Sequence, residues 1–257
     1  MSSIHILIVR SLKISIRVLI FLEIYMKSLK SIVKYFSVGE ILLWSFSIIL
    51  IVTSFCIFDR VNYPTLAASL IGVTSLIFNA KGNPIGQVLM IAFSLLYGYI
   101  SFVFTYYGEM LTYVCMTMPM AVFALISWLK NPYNGNKSEV KVNELKKNEP
   151  VLMWFAAAVI TLIFYFVLKA FDTKNVIPST ISVTTSFLAV YLTFRRSPFY
   201  AIGYAANDIV LIILWSLAAT ENISYVSVIV CFIAFLANDV YGFINWRKMA
   251  KRQAENK

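Results

Sequence analysis

PVLMWFAAAVITLIFYFVL, residues Pro150 to Leu168, runs through 19 positions without a charged side chain. A helix needs about 20 mostly apolar residues to cross the hydrocarbon core, so this stretch reads as a membrane span. The same pattern repeats on both sides of it. Ile41 to Phe58, Val61 to Ala80, Gly82 to Gly108, Met110 to Leu129 and Asn175 to Phe194 are also uncharged. Ser197 to Thr220 and Asn222 to Trp246 are each broken by one aspartate. Transmembrane barrels would show shorter, alternating segments. Composition agrees: the chain is 60% hydrophobic and 13% charged, where a soluble domain carries about 25% charged residues. The expected fold is an all-α integral membrane protein of about eight transmembrane helices.

The net charge of +10 follows the order of the spans. Lys81, the segment Lys130 to Lys147, Arg195-Arg196 and the tail from Arg247 onward all fall on one side when spans are counted. The opposite connections hold Asp59-Arg60, Glu109, Asp172 to Lys174 and Glu221. This is the positive-inside pattern, so both termini are expected in the cytoplasm of a cell (plasma or inner) membrane. Nucleic acid is not the expected partner of this charge; the lipid bilayer is. Cys56, Cys115 and Cys231 lie inside spans without CxxC spacing, and read as small packing residues. His5, the single histidine, lies outside the spans, which leaves haem or zinc chemistry without ligands there. No cofactor is expected.

Residues 1–36 differ from the rest. Arg10, Lys13, Arg17, Lys27, Lys30 and Lys34 recur on one helical face of an otherwise apolar segment, which predicts an amphipathic helix on the cytoplasmic leaflet. A non-essential extension is the alternative.

The chain also repeats itself. Pro64 and Pro178 each open a span, Pro84 and Pro198 each open the next, and both pairs are 114 residues apart. Ile126-Ser127-Trp128-Leu129-Lys130 matches Ile244-Asn245-Trp246-Arg247-Lys248 at an offset of 118. Two parallel three-helix repeats, 61–130 and 175–248, follow from these matches, with a linking helix over 150–170 between them. That is a SWEET-like 3+1+3 arrangement, known among transporters. An extra first helix (37–60), a cytoplasmic loop (131–149) and a short tail (249–257) complete the expected organisation.

Polar groups inside the spans mark the candidate site. Asp208 and Asp239 are the two carboxylates within them, and a charge at mid-membrane costs about 2.5–3.5 kcal/mol on insertion scales. Helix–helix contact is the alternative role, with Asp239 pairing to Arg195 or Arg196. Gln87, Ser94, Tyr97 and Ser101 share one face of the third span. Tyr200, Tyr204, Asn207 and Trp215 share a face of the seventh, and Asn238, Tyr241 and Asn245 of the eighth. Such a lining suits a small, flat, polar ligand that stacks on rings, pairs with amides and is offset by an aspartate if cationic.

Asn207-Asp208 with Trp215, the run Phe235 to Trp246 containing Asn238-Asp239-Val-Tyr241-Gly242, and Tyr191 to Pro198 together resemble the nicotinamide riboside transporter family, PnuC. The resemblance covers about residues 40–250. It implies a 3+1+3 core with an extra N-terminal helix, often assembled as a homotrimer. It further implies downhill movement of the riboside, a small-molecule vitamin, with trapping by a cytosolic kinase. Some members carry a WxxW pair upstream of the seventh-span aspartate. The aligned positions here are Ala201 and Tyr204, and relatives that carry thiamine are the alternative. A membrane enzyme lacks a nucleophile–base pair to work with, and no Walker motif is present for ATP.

The topology is open to direct test. A cysteine placed at Lys141 should react with a membrane-impermeant maleimide only after permeabilisation, and labelling of intact cells would invert the orientation.

Overall fold

In a computed structural model, residues 35–104, 106–173 and 175–256 are described. Eight helices there are long and apolar enough to cross a membrane. They are α1 (Val38–Phe58), α2 (Tyr63–Ala80), α3 (Ile85–Val103), α4 (Tyr107–Lys130), α5 (Glu149–Ala170), α6 (Val176–Phe194), α7 (Tyr200–Ala219) and α8 (Val226–Glu255). Residues 1–43 and 44–257 form two compact units. In the first, Ser37 and Glu40 cap the start of α1 reciprocally. The Ser37 N–H donates to Glu40 Oε2 (2.7 Å) and the Glu40 N–H to Ser37 Oγ (3.3 Å). The amphipathic segment read over residues 1–36 lies outside the described residues but for Tyr35 and Phe36.

Within the second unit, α2–α3–α4 and α6–α7–α8 are the two repeats, and α5 links them. In each repeat the first two helices pack closely, and the third helix of each packs against the first helix of the other. α5 packs on α6 and leaves most of its surface bare, as a peripheral helix facing lipid does.

The repeats lock to each other through equivalent residues. Trp128 Nε1 donates to Thr193 O (3.0 Å), and its counterpart Trp246 Nε1 donates to Asn79 O (2.8 Å). One residue earlier, Ser127 Oγ donates to Phe194 O (3.1 Å) and Asn245 Nδ2 to Ala80 O (2.8 Å). Asn79 and Thr193, like Ala80 and Phe194, are 114 apart, while the donors are 118 apart, the two offsets of the sequence repeat. Each bond therefore runs from one repeat to the other, and each has its twin. The two indoles meet with ring centroids 5.4 Å apart. Equivalent residues can touch only near the axis that relates them, so this pair marks the pseudo-two-fold.

The turn after the first helix of each repeat is also duplicated. Gly82 (φ 66°) and Arg196 (φ 57°) occupy the same left-handed position. Their N–H groups donate to Asn79 O (2.9 Å) and Thr193 O (3.0 Å). Glycine is unstrained there, whereas arginine bears the cost of a Cβ.

The expected loop over 131–149 is partly ordered. Pro132–Tyr133 and Asn136–Val140 pair as an antiparallel hairpin, β1 and β2, around Asn134-Gly135. Both turn residues have positive φ (48° and 77°), the conformation an Asn-Gly hairpin turn requires. The end of β2 and the chain just after it bridge the duplicated turns. Val140 N donates to Gly82 O (2.9 Å) and Asn143 N to Arg196 O (3.0 Å). α8 continues past the expected end of its span to Glu255, where Gln253 Oε1 accepts from Val142 N (2.8 Å) and Arg252 pairs with Glu139. The hairpin, the turns and the helix extension form one collar at the basic end of the bundle.

If the indole pair holds the repeats in register, Trp246→Phe should lower the unfolding temperature of the purified protein, with a loss of about 0.5–1.5 kcal/mol for the indole hydrogen bond, since Asn79 O keeps the Gly82 N–H. Trp128→Phe should do the same, and the double substitution should cost less than the sum of the two, because the rings share one contact. Strict additivity in thermal-shift or denaturant measurements would dissolve the coupling.

Candidate substrate-binding site

Each repeat turns a polar face inward, and the faces meet in a closed cavity of about 30 Å³ between α2, α3, α4, α6, α7 and α8. Its polar lining is Thr117, Ser186, Tyr204, Asn207, Asp208, Asp239 and Tyr113, and its apolar walls include Phe93, Phe232 and Phe235. Pockets that enclose small molecules run to about 300–1,000 Å³, so this chamber is shut. A ligand of that size does not fit the volume as it stands.

Asn207 is the most constrained residue in the chamber. Its Oδ1 accepts from three hydroxyls on α6: Ser182 (3.2 Å), Thr185 (2.9 Å) and Ser186 (3.0 Å). Three donors on one carbonyl oxygen fix the amide's orientation and leave its Nδ2 group to donate toward the cavity. The α6 face that supplies them is spaced i, i+3, i+4, which puts all three hydroxyls on one side of the helix.

Asp208 and Asp239, both 3% exposed, come within hydrogen-bonding reach of each other across α7 and α8. The expected pairing of Asp239 with Arg195 or Arg196 is not formed. Arg195 pairs instead with Glu149 at the start of α5, and Arg196 Nη1 donates to Ser127 O (3.4 Å). Both arginines lie in the turn beyond α6, and Asp239 sits too deep in α8 for that turn to reach.

A stack of rings closes the end opposite the collar. Tyr97 packs on Tyr113 (4.5 Å between centroids) and edge-on to Trp215 (6.4 Å). Trp215 packs on Tyr106 (4.9 Å) and Tyr225 (5.2 Å). The Tyr97 hydroxyl and the Trp215 N–H approach one another, but neither is held in a hydrogen bond of good geometry. Burial pushes the Tyr106 phenol up to about 12, so this plug stays uncharged near neutral pH.

The expected site residues thus divide. Tyr204, Asn207, Asp208 and Asp239 line the chamber, and Tyr97 and Trp215 cover it. Gln87 lies toward the collar, where its Nε2 donates to Asn79 Oδ1 (2.8 Å), and Asn79 Nδ2 in turn donates to Ser75 Oγ (3.2 Å). Asn238 turns toward α1, donating from Nδ2 to Ser47 Oγ (2.9 Å) and to Ala234 O (2.8 Å). Tyr241 is half-buried on α8 and is not part of the chamber wall.

Two contributors were not read from the sequence. The Ser182, Thr185 and Ser186 hydroxyls carry the i, i+3, i+4 spacing that could have revealed them. Tyr113 and Thr117 reach the chamber through a π-helical stretch, Thr112–Thr117, inside α4. Pro119 follows it and cannot donate to the preceding turn, which favours a widened turn at this point.

A small chamber with polar groups in its wall, set between two membrane-spanning repeats, fits the architecture of transporters built from such repeats. Comparison with known proteins agrees. Residues 62–248 match the family described as nicotinamide mononucleotide transporter. The chain is 25% identical over 206 residues to the nicotinamide riboside transporter PnuC of Neisseria mucosa, spanning 77% of each chain. It is 23% identical over 199 residues to the transporter of the same name from Haemophilus influenzae, spanning 74% of this chain and 82% of that one. The crystal structure of the vitamin B3 transporter PnuC aligns with a TM-score of 0.74 at 23% identity, over 85% of this chain and 94% of that chain. The chain belongs to the nicotinamide mononucleotide transporter family.

Asn207 and Gln87 separate ligand contact from helix contact. Asn207→Ala in folded protein should weaken ligand binding about five- to a hundredfold, the cost of one buried amide partner. Gln87→Leu should lower thermal stability and leave affinity within about twofold, since its bond is to Asn79. Calorimetric titration of both variants distinguishes the roles, and an unchanged affinity in Asn207→Ala would remove it from the site.

Proposed function

We propose that this protein carries nicotinamide riboside into the cell across the plasma or inner membrane by facilitated diffusion, and that phosphorylation by a cytosolic kinase traps the riboside. The observation that carries the reading is the chamber itself. An oriented amide, two carboxyls and several ring faces converge on one shut volume between the repeats. A pyridinium with a carboxamide and a ribose offers a flat cationic ring for the aromatic walls, an amide for Asn207 and hydroxyls for the carboxyls. The relatives named as riboside transporters support this choice.

The family's description names the mononucleotide, which adds a phosphate. No lysine, arginine or histidine is among the buried residues of the described chain, whereas Glu109, Asp208 and Asp239 are. A phosphate there would meet carboxylates and no counter-charge, so the riboside fits better. Thiamine, also a cationic ring with a hydroxyl-bearing arm, is the second reading, supported by Ala201 and Tyr204 in place of a tryptophan pair. The collar's basic side chains favour a cytoplasmic position for it, and the bare faces of α5 are suited to lipid or to further copies in a homotrimer.

Purified protein in vesicles free of ATP and ion gradients should equilibrate labelled nicotinamide riboside and leave the mononucleotide outside. Accumulation that requires a sodium or proton gradient would refute facilitated diffusion, and uptake of thiamine alone would move the substrate assignment.

A further inference from the structure

Glu109 is a buried carboxylate that neither the chamber nor the packing uses. It lies in the first turn of α4, is 2% exposed, and its Oε2 has no hydrogen-bond partner among the described residues. The sequence placed it in a short loop facing outward, where a carboxylate would be hydrated at no cost. The fold instead buries it beside Gly108, whose missing side chain admits Leu168 and Thr173. Burying a carboxylate with one hydroxyl, Ser182, in reach and no buried basic side chain among the described residues is costly, and an ionisable group inside a membrane bundle generally has a functional role.

Its neighbours point the same way. Glu109 and Tyr113 are four residues apart, so they lie one turn apart on one face of α4, and Tyr113 lines the chamber. Tyr113 is within electrostatic range of Glu109 on one side and Asp208 on the other. Ser182 lies within hydrogen-bonding reach of both Glu109 and Asn207 Oδ1 (3.2 Å), and its single proton serves one of them at a time. Tyr97, whose hydroxyl is unmatched, feels Glu109 as well. From the end opposite the collar inward, the interior thus presents Glu109, Tyr113, Asp208 and Asp239 in sequence, with no buried basic side chain among the described residues. An uncompensated line of carboxyls between ring faces has the electrostatics of a path for an organic cation.

We propose that Glu109 is the specificity-determining carboxylate of the outer half of the path, selecting cargo that carries a positive ring over an uncharged cargo of the same shape. The proposal rests on the riboside reading for its first choice of ligand, and its test is arranged to separate the two. Full-length protein in nanodiscs is titrated by calorimetry with nicotinamide riboside and with its uncharged dihydropyridine form, which keeps the carboxamide and the ribose. Wild type should favour the cation. Glu109→Gln, which keeps the shape and removes the charge, should weaken the cation about tenfold or more and move the neutral form less than about twofold. Equal loss for both forms, or no change for either, overturns the proposal, since a merely structural role would not alter the ratio. If Glu109→Gln does not fold, Glu109→Asp carries the test: the withdrawn charge must lower the cation-to-neutral ratio, and an unchanged ratio overturns it. If wild type binds neither riboside form, the functional reading falls. The same variants are then titrated with thiamine and its uncharged thiophene isostere. Selection intact in Glu109→Gln, or no binding of that pair either, overturns the carboxylate's role.

Discussion

The reciprocal bonds from Trp128 to Thr193 O and from Trp246 to Asn79 O hold the two halves of this bundle in one register. Apolar helices gain little by leaving lipid for each other, so packing and hydrogen bonds must specify how they meet. Each indole is buried, each donates to a backbone carbonyl at a helix end where no intrahelical partner exists, and each does so across the repeat boundary. Because the bonds are twinned, they leave the repeats one relative placement. The chamber a few turns away exists because that placement sets the polar faces of α6, α7 and α8 opposite those of α3 and α4.

The collar builds on the same constraint. Val140 and Asn143 reach carbonyls in the two duplicated turns, so one short stretch of chain contacts both repeats at once. Gln253 and Arg252 bring the end of α8 into the network through Glu139 and Val142. At the opposite end the contacts are of another kind. Rings of Tyr97, Trp215, Tyr106 and Tyr225 stack with few hydrogen bonds among them. Ring contacts of this type re-form in several geometries, whereas directed bonds to backbone carbonyls do not. The chamber is thus bounded by ring contacts at one end and by directed hydrogen bonds to backbone carbonyls at the other.

The interior also shows how polar groups are tolerated in a membrane bundle. Asn207 satisfies its carbonyl with three hydroxyls, Asn238 spends its amide on Ser47 and a backbone carbonyl, and Gln87 and Asn79 bond each other. Glu109 Oε2, Asp208 Oδ2, Asn238 Oδ1 and the Tyr97 and Trp215 polar atoms are among the buried polar atoms left unmatched, as are Ser54 Oγ and Tyr133 Oη elsewhere. Buried polar atoms in native proteins are rarely left so.

Much of this was legible from residue order alone. Span count, the linking helix and the repeat follow from where charges are missing and where Pro64, Pro84, Pro178, Pro198 and the two tryptophans fall, because lipid forbids exposed charge over a helix-length segment. Asn207, Asp208, Asp239 and Tyr204 were readable as chamber residues because a polar side chain at mid-span must face inward. The Asn134-Gly135 hairpin carries an equally legible turn signal inside a charged loop. Facing inward, however, does not say toward what. Gln87 and Asn238 satisfy the same rule yet bond to Asn79 and Ser47, on helices that sequence spacing cannot align with them. Glu109 read as a loop residue because its distance from the span's end is a single turn, and burial there depends on Leu168 and Thr173 closing over Gly108. Local chemistry determined which groups avoid lipid, since that depends on each side chain and its depth. Only the packing of the helices decided which of those groups satisfy one another and which are left unmatched.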